Sequence, residues 1–203
     1  MNEFDLQGLP ELMIEVLEKR DQQKLKEFID KVDLYVIVDS GAEDLFPDSV
    51  FEFIVKLMDC EMFLAMQGSS KLLMVLETDW VRLSPEQRQK LLVALGKSYE
   101  RFKDQMSLFI TSELLGQYYC NEDAFGLLRQ LEKTSNVAAR ALIPHGFEHI
   151  AKSAEDEKLR TRAVSELKSM RQDPSPEVQS EAAEALAKLT QVHKNSLSFN
   201  DNN

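Results

Sequence analysis

The sequence predicts an all-α chain, and three observations carry that expectation. Only 7 Gly and 6 Pro occur in 203 residues, against abundant Leu, Glu, Lys and Ala, a balance that favours helices over a sandwich or barrel. Apolar residues recur at helical spacing along most of the chain. One helical pattern also returns at regular distances, which points to stacked units and not to a single bundle.

In chain order, Leu12, Ile14, Val16 and Leu17 form an apolar helical set between Leu9 and Arg20. Asp21 can cap a second helix that carries Leu25, Phe28, Ile29 and Val32 on one side. Leu34-Tyr35-Val36-Ile37-Val38 has high β propensity, but no second strand pattern exists to pair with it, so it reads as helix or extended connector. Ser40-Gly41 ends this unit. Pro47-Asp48 then opens a helix that is apolar on more than one side, through Val50, Phe51, Phe53, Ile54, Leu57 and Met58, and is expected to be central.

Cys60 to Met66 and Lys71 to Leu76 follow as short apolar helices around Gly68-Ser69-Ser70, with Trp80 and Val81 in the next connection. Ser84-Pro85-Glu86-Gln87 carries a cap, a proline at the first helical position and a capping-box partner. Lys103 to Tyr119, Asp123 to Lys133 and Glu155 to Met170 each show a helical apolar face, and Asn195 to Asn203 shows none.

The recurring pattern is clearest at Asp173–Leu189. Ser175 can cap, Pro176 starts the helix, and Val178, Ala182, Ala185, Leu186 and Leu189 fall at helical spacing, with alanines where a neighbouring helix must come close. Ser84–Leu95 repeats its Ser-Pro-Glu opening and Ala-Leu ending 91 residues earlier. Ala138-Ala139-Arg140-Ala141-Leu142 matches Ala182–Leu186 at an offset of 44, which leaves 47 back to Leu95. These segments resemble the second helices of HEAT-type repeats, whose period is about 40–47 residues. The resemblance implies an α-α superhelix of about four HEAT/ARM-like units. It is clearest over residues 70–191, with irregular helices at 1–69 as degenerate repeats or a cap and a disordered tail at 192–203.

Composition narrows function. Nothing at the N-terminus reads as a signal peptide, no stretch approaches the roughly 20 apolar residues of a membrane span, and Cys60 and Cys120 read as reduced thiols. The expectation is a soluble cytoplasmic protein that does not meet a membrane. The net charge of -11 is concentrated at the front, where residues 1–60 hold 15 Asp/Glu and 6 Lys/Arg. Such a field repels nucleic acid and suits a basic protein partner. Asp39, Glu43, Asp44, Asp48 and Glu52 are the candidate contact surface.

His145-Gly146-Phe147-Glu148-His149 spells the inverted zinc-protease signature, in which histidines four apart share a metal and the glutamate is general base. Pro144 and Gly146 disturb the helix that motif needs, and the downstream acids belong to an ordinary repeat helix. His145, Glu148 and His149 are therefore weak metal candidates, and a kinked helix with surface histidines is expected instead.

Related scaffolds supply further comparisons. Deoxyhypusine hydroxylases hold iron with His-Glu pairs, and this chain has no His-Glu dipeptide. The alkylpurine glycosylases of this architecture need a basic groove, whereas Arg129, Lys133, Arg140, Lys152 and the other cations of residues 129–171 are interleaved with acids. The expectation is a non-enzymatic protein-binding module without cofactor, such as an immunity, antitoxin or adaptor protein. A small enzyme or accessory lyase on the same scaffold is the alternative.

Overall fold

The computed structural model describes residues 9–39 and 45–200, with side chains described for 9–34 and 45–191. Every regular element among them is helical, and none is long and apolar enough to cross a membrane. The chain divides into two compact units, Met1–Ile110 and Thr111–Asn203. Residue 70, where the helices are expected to become more regular, lies within the first of these units.

Unit 1 begins with α1 (Leu9–Lys19) and α2 (Gln22–Asp39). Arg20 takes a left-handed φ of 49°, and the Asp21 carboxylate accepts from the N–H groups of Gln23 and Lys24, so the capping expectation holds. Leu34–Val38 lies inside α2 and is helical: continuing an existing helix adds one hydrogen bond per residue, and no strand is there to compete. Ser40–Asp44 lie outside the described residues.

The central helix is α3 (Asp48–Leu57), which buries Val50, Phe51, Phe53, Ile54 and Leu57. Phe53 meets Phe28 of α2 edge to face at 4.7 Å. Short helices α4 (Glu61–Ala65) and α5 (Ser70–Thr78) follow, then a 3₁₀ turn at Trp80–Arg82. Next comes α6 (Pro85–Ser98), which opens with the capping box: Ser84 Oγ accepts from the Gln87 N–H, and Gln87 Oε1 accepts from the Ser84 N–H. The Gln87 amide also donates to the Phe46 carbonyl and the Asp48 carboxylate, fastening α6 to the start of α3. A second 3₁₀ turn, Tyr99–Arg101, precedes α7 (Gln105–Glu113). Because α5 packs on α2 and α6 on α3, residues 70–101 share a core with the irregular front helices, which is why the unit does not end at residue 70.

Unit 2 contains a π-helical turn at Leu114–Tyr119, closed by Cys120 at a left-handed φ of 44°, then α8 (Glu122–Leu131), α9 (Val137–Ser153), α10 (Glu157–Met170) and α11 (Pro176–Asn200). The helix α9 is the hub, packed against the π turn, α8, α10 and α11. Asn121, Asn136 and Asp156 cap α8, α9 and α10 through side-chain oxygens. The backbone of α11 stays helical through Asn200, past residue 192, where the sequence period ends; no Gly or Pro interrupts propagation there.

The junctions α8–α9 and α10–α11 share a hydrogen-bond pattern at one offset. Thr134 Oγ1 accepts from the Asn136 N–H, and Asp173 Oδ1 accepts from the Ser175 N–H. Six residues on, Arg140 donates to the Thr134 carbonyl and Gln179 to the Asp173 carbonyl. This correspondence aligns Asn136 with Ser175, 39 residues apart. The Ala-Leu match at 44 aligns different helical turns, since Ala138 is the second residue of α9 and Ala182 the seventh of α11.

Candidate functional site

The histidine motif lies on α9, and that helix differs from the sequence expectation. It runs unbroken from Val137 to Ser153 with Pro144 and Gly146 inside it. Two contacts accommodate the defects. The buried Ser112 hydroxyl donates to the Leu142 carbonyl at 2.8 Å and accepts from the Gly146 N–H at 3.0 Å, bridging groups that a straight helix joins directly. Gly116 of the π turn faces Gly146 so closely that a Cβ there would run into the Gly146 backbone. A proline that would otherwise break a helix is thus held in one by its neighbours.

On this continuous helix the two imidazoles diverge. Glu181 Oε2 of α11 lies 3.3 Å from His145 Nε2, and Glu113 Oε1 of α7 lies 3.3 Å from His149 Nε2. A carboxylate only accepts, so a neutral His149 bonded to Glu113 carries its proton on Nε2. Glu148, 5% exposed at its side chain, pairs with Lys152 one turn on and lies 3.8 Å from Lys188 of α11. The histidines are half-buried, not surface groups, and the motif's three side chains have three different sets of partners. Among the described residues no group of three or more His, Cys, Asp or Glu converges as a metal site would require.

The result is a charged seam across α9 and α11. Lys188, by hydrogen bond and charge, and more weakly His145, hold Glu184 below the usual carboxylate range. Glu184 in turn pushes Lys188 up, against the opposing effect of burial. Below the seam Arg140 grips Asp173 with two guanidinium bonds of 2.9 and 3.2 Å. Burial would raise the Asp173 carboxyl, but those bonds and the Ser175 N–H outweigh it and leave it lowered.

The acidic surface proposed from sequence falls only partly within the described residues. Glu43 and Asp44 lie outside them, as does the side chain of Asp39. Asp48 accepts from Gln87, and Glu52 pairs with Lys90 at 2.7 Å, so both have internal work. Glu11 and Glu18 of α1 are exposed and outside the ion-pair network that joins Glu15, Lys19, Lys24, Glu27 and Lys31. Sequence reading missed them because it weighed charge density along the chain, whereas the helical spacing of Glu11, Ile14 and Glu18 puts all three on the outer side of α1.

Clefts among the described residues also lie outside these features. Unit 1 has an open polar groove of about 520 Å³ lined by Asp21, Lys26, Ile29, Asp30, Met66 and Lys71, in which Asp30 already holds Lys71. Unit 2 has one of about 500 Å³ beside Lys152, Glu157 and Arg160. No family model matches the chain, and no curated protein and no solved structure matches it either.

Proposed function

We propose that this chain is a non-enzymatic protein-binding module of the HEAT-like repeat type that takes a basic partner. The observation that carries the repeat reading is the shared turn chemistry of the α8–α9 and α10–α11 junctions, 39 residues apart and near the period of such repeats. Stacked repeats present broad surfaces and bury their cores continuously, which suits binding better than a closed catalytic pocket.

The charge of the partner follows from where the surplus acid lies. Residues 1–110 hold 21 Asp/Glu against 13 Lys/Arg, and Glu11 and Glu18 stand exposed outside the ion-pair network of α1 and α2. Nucleic acid is disfavoured because several cations of unit 2 are compensated: Arg129 pairs with Glu166, Arg162 with Glu122, Arg140 with Asp173 and Lys152 with Glu148.

Affinity capture from native lysate with the full chain tests this reading. A basic protein retained at low salt, released at high salt and lost with Glu11→Lys/Glu18→Lys or Glu43→Lys/Asp44→Lys is the expected result. Equal retention by wild type and both variants overturns it. Asp48 and Glu52 are kept out of the charge reversals because their loss would also disturb α3 and α6.

A further inference from the structure

We propose that this chain associates with itself head to tail, Ile14 and Leu17 of one copy seating in the cleft beside Val164 and Leu189 of the next. The chain carries both halves of this contact. On α1, Ile14 is 54% and Leu17 45% exposed, and three-residue spacing puts them side by side. Exposed Glu11 and Glu18 flank Ile14, one turn to either side, and neither has an ion-pair partner among the described residues. An apolar pair rimmed by free carboxylates suits an apolar hollow with a cationic edge.

The cleft of unit 2 is such a hollow. It lies where α9, α10 and α11 meet, and its apolar lining is Ala151, Val164 and Leu189, one residue from each helix. Its volume of about 500 Å³ has room for two branched side chains. Lys152 and Arg160 border it, and among the described lining residues Glu157 is the one acid. Lys152 is paired with Glu148. The Arg160 guanidinium instead bonds the carbonyls of Ala154 and Glu155, which leave its positive charge uncompensated. On the adjoining surface Lys158 is exposed, beside Thr161.

Charge also fixes the kind of symmetry. Two α1 faces would bring carboxylates together, and two clefts would bring arginines together, so neither surface suits its own copy. Face against cleft joins unlike signs, with Lys and Arg stems free to lie over Ile14 and Leu17 while their heads reach Glu11 and Glu18. Such a contact is heterologous. Each added copy leaves one face and one cleft free, so assembly runs on as a chain or closes as a ring. The face is the one offered above to a basic partner, yet this contact needs no other protein.

Sedimentation velocity of the purified full-length chain, across rising concentration at low salt, tests the contact. The sedimentation coefficient should climb with concentration and fall back to the monomer value at high salt. Ile14→Ser/Leu17→Ser removes the apolar pair, and Thr161→Glu sets a carboxylate in the cleft lining against Glu11 and Glu18. Both change exposed positions, so thermal midpoints should stay put while association weakens by about tenfold or more in each. An equimolar mixture of the two variants should form a one-to-one complex and nothing larger, since one intact face and one intact cleft remain. A monomer at every concentration, association that either variant retains in full, or a mixture that stays monomeric overturns the proposal. Lysate capture of a basic protein reads a different partner, so either result can fail while the other stands.

Discussion

In unit 1 the ten-residue α3 buries five large apolar side chains, and aromatic pairs such as Phe28–Phe53 and Phe63–Phe102 fill the space between short helices of unequal length. In unit 2 the helices are longer, the junctions repeat their turn chemistry, and the tightest crossing is made by what is missing: Gly116 against Gly146, with Ser112 alongside. The first unit tolerates irregular geometry because large side chains adapt to whatever gap the backbone leaves. The second brings backbones together and so depends on small residues at defined places. The lesson is that regularity here is bought with steric intolerance, and the expected mutational responses of the two units should differ in kind.

The largest effect is expected where α11 packs on its neighbours. Ala182 is fully buried, and Ala182→Glu puts a charge with no partner into that packing, for a loss of about 4 kcal/mol. A urea midpoint by circular dichroism that does not move would refute the close contact. Gly116→Ala should cost about 3 kcal/mol, since its new methyl meets backbone that cannot rotate away. A neutral result would show that the π turn yields as readily as the aromatic core of unit 1.

Ser112→Ala removes the hydroxyl between Leu142 and Gly146 and should cost about 2 kcal/mol, with faster amide exchange at Gly146 as its local signature. Asp173→Asn should cost about 1.5 kcal/mol at pH 7 by weakening charged hydrogen bonds to Arg140. The Asp173 carboxyl is lowered in the folded protein, so its contribution is present above the unfolded carboxylate range near 4 and lost as pH falls through the folded value. The gap between wild type and variant should therefore close in acid, and a constant gap would argue against the charged pair. The smallest effect belongs to unit 1, where Ser84→Ala should cost about 1 kcal/mol through the α6 cap.

Much of the helix pattern was legible because its signals are local. The Ser84 box, the Asp21 cap and the apolar face of α3 involve residues within one or two turns of each other, and each is realised as its spacing implies. The unit boundary was not legible, because α5 and α6 join the front helices through contacts some forty residues apart, such as Gln87 to Phe46. The Ala-Leu match at an offset of 44 and the shared turn bonds at an offset of 39 differ for a related reason. An Ala-Leu pattern can recur with every helical turn, whereas the turn hydrogen bonds at the two junctions involve Thr134 and Asp173, which share no side-chain likeness beyond an acceptor oxygen.

By itself, then, the sequence determined that the chain is helical, where most helices start, and that its front third carries the surplus negative charge. These follow from neighbouring side chains and from composition, which need no fold to act. Tertiary structure alone decided what became of the His145–His149 motif. Pro144 and Gly146 should have broken the helix, yet Ser112 and the π turn hold it continuous, and the imidazoles are turned toward carboxylates on two other helices. A helix defect is a local property, but its repair depends on groups thirty residues away in sequence, and only packing brings those into reach.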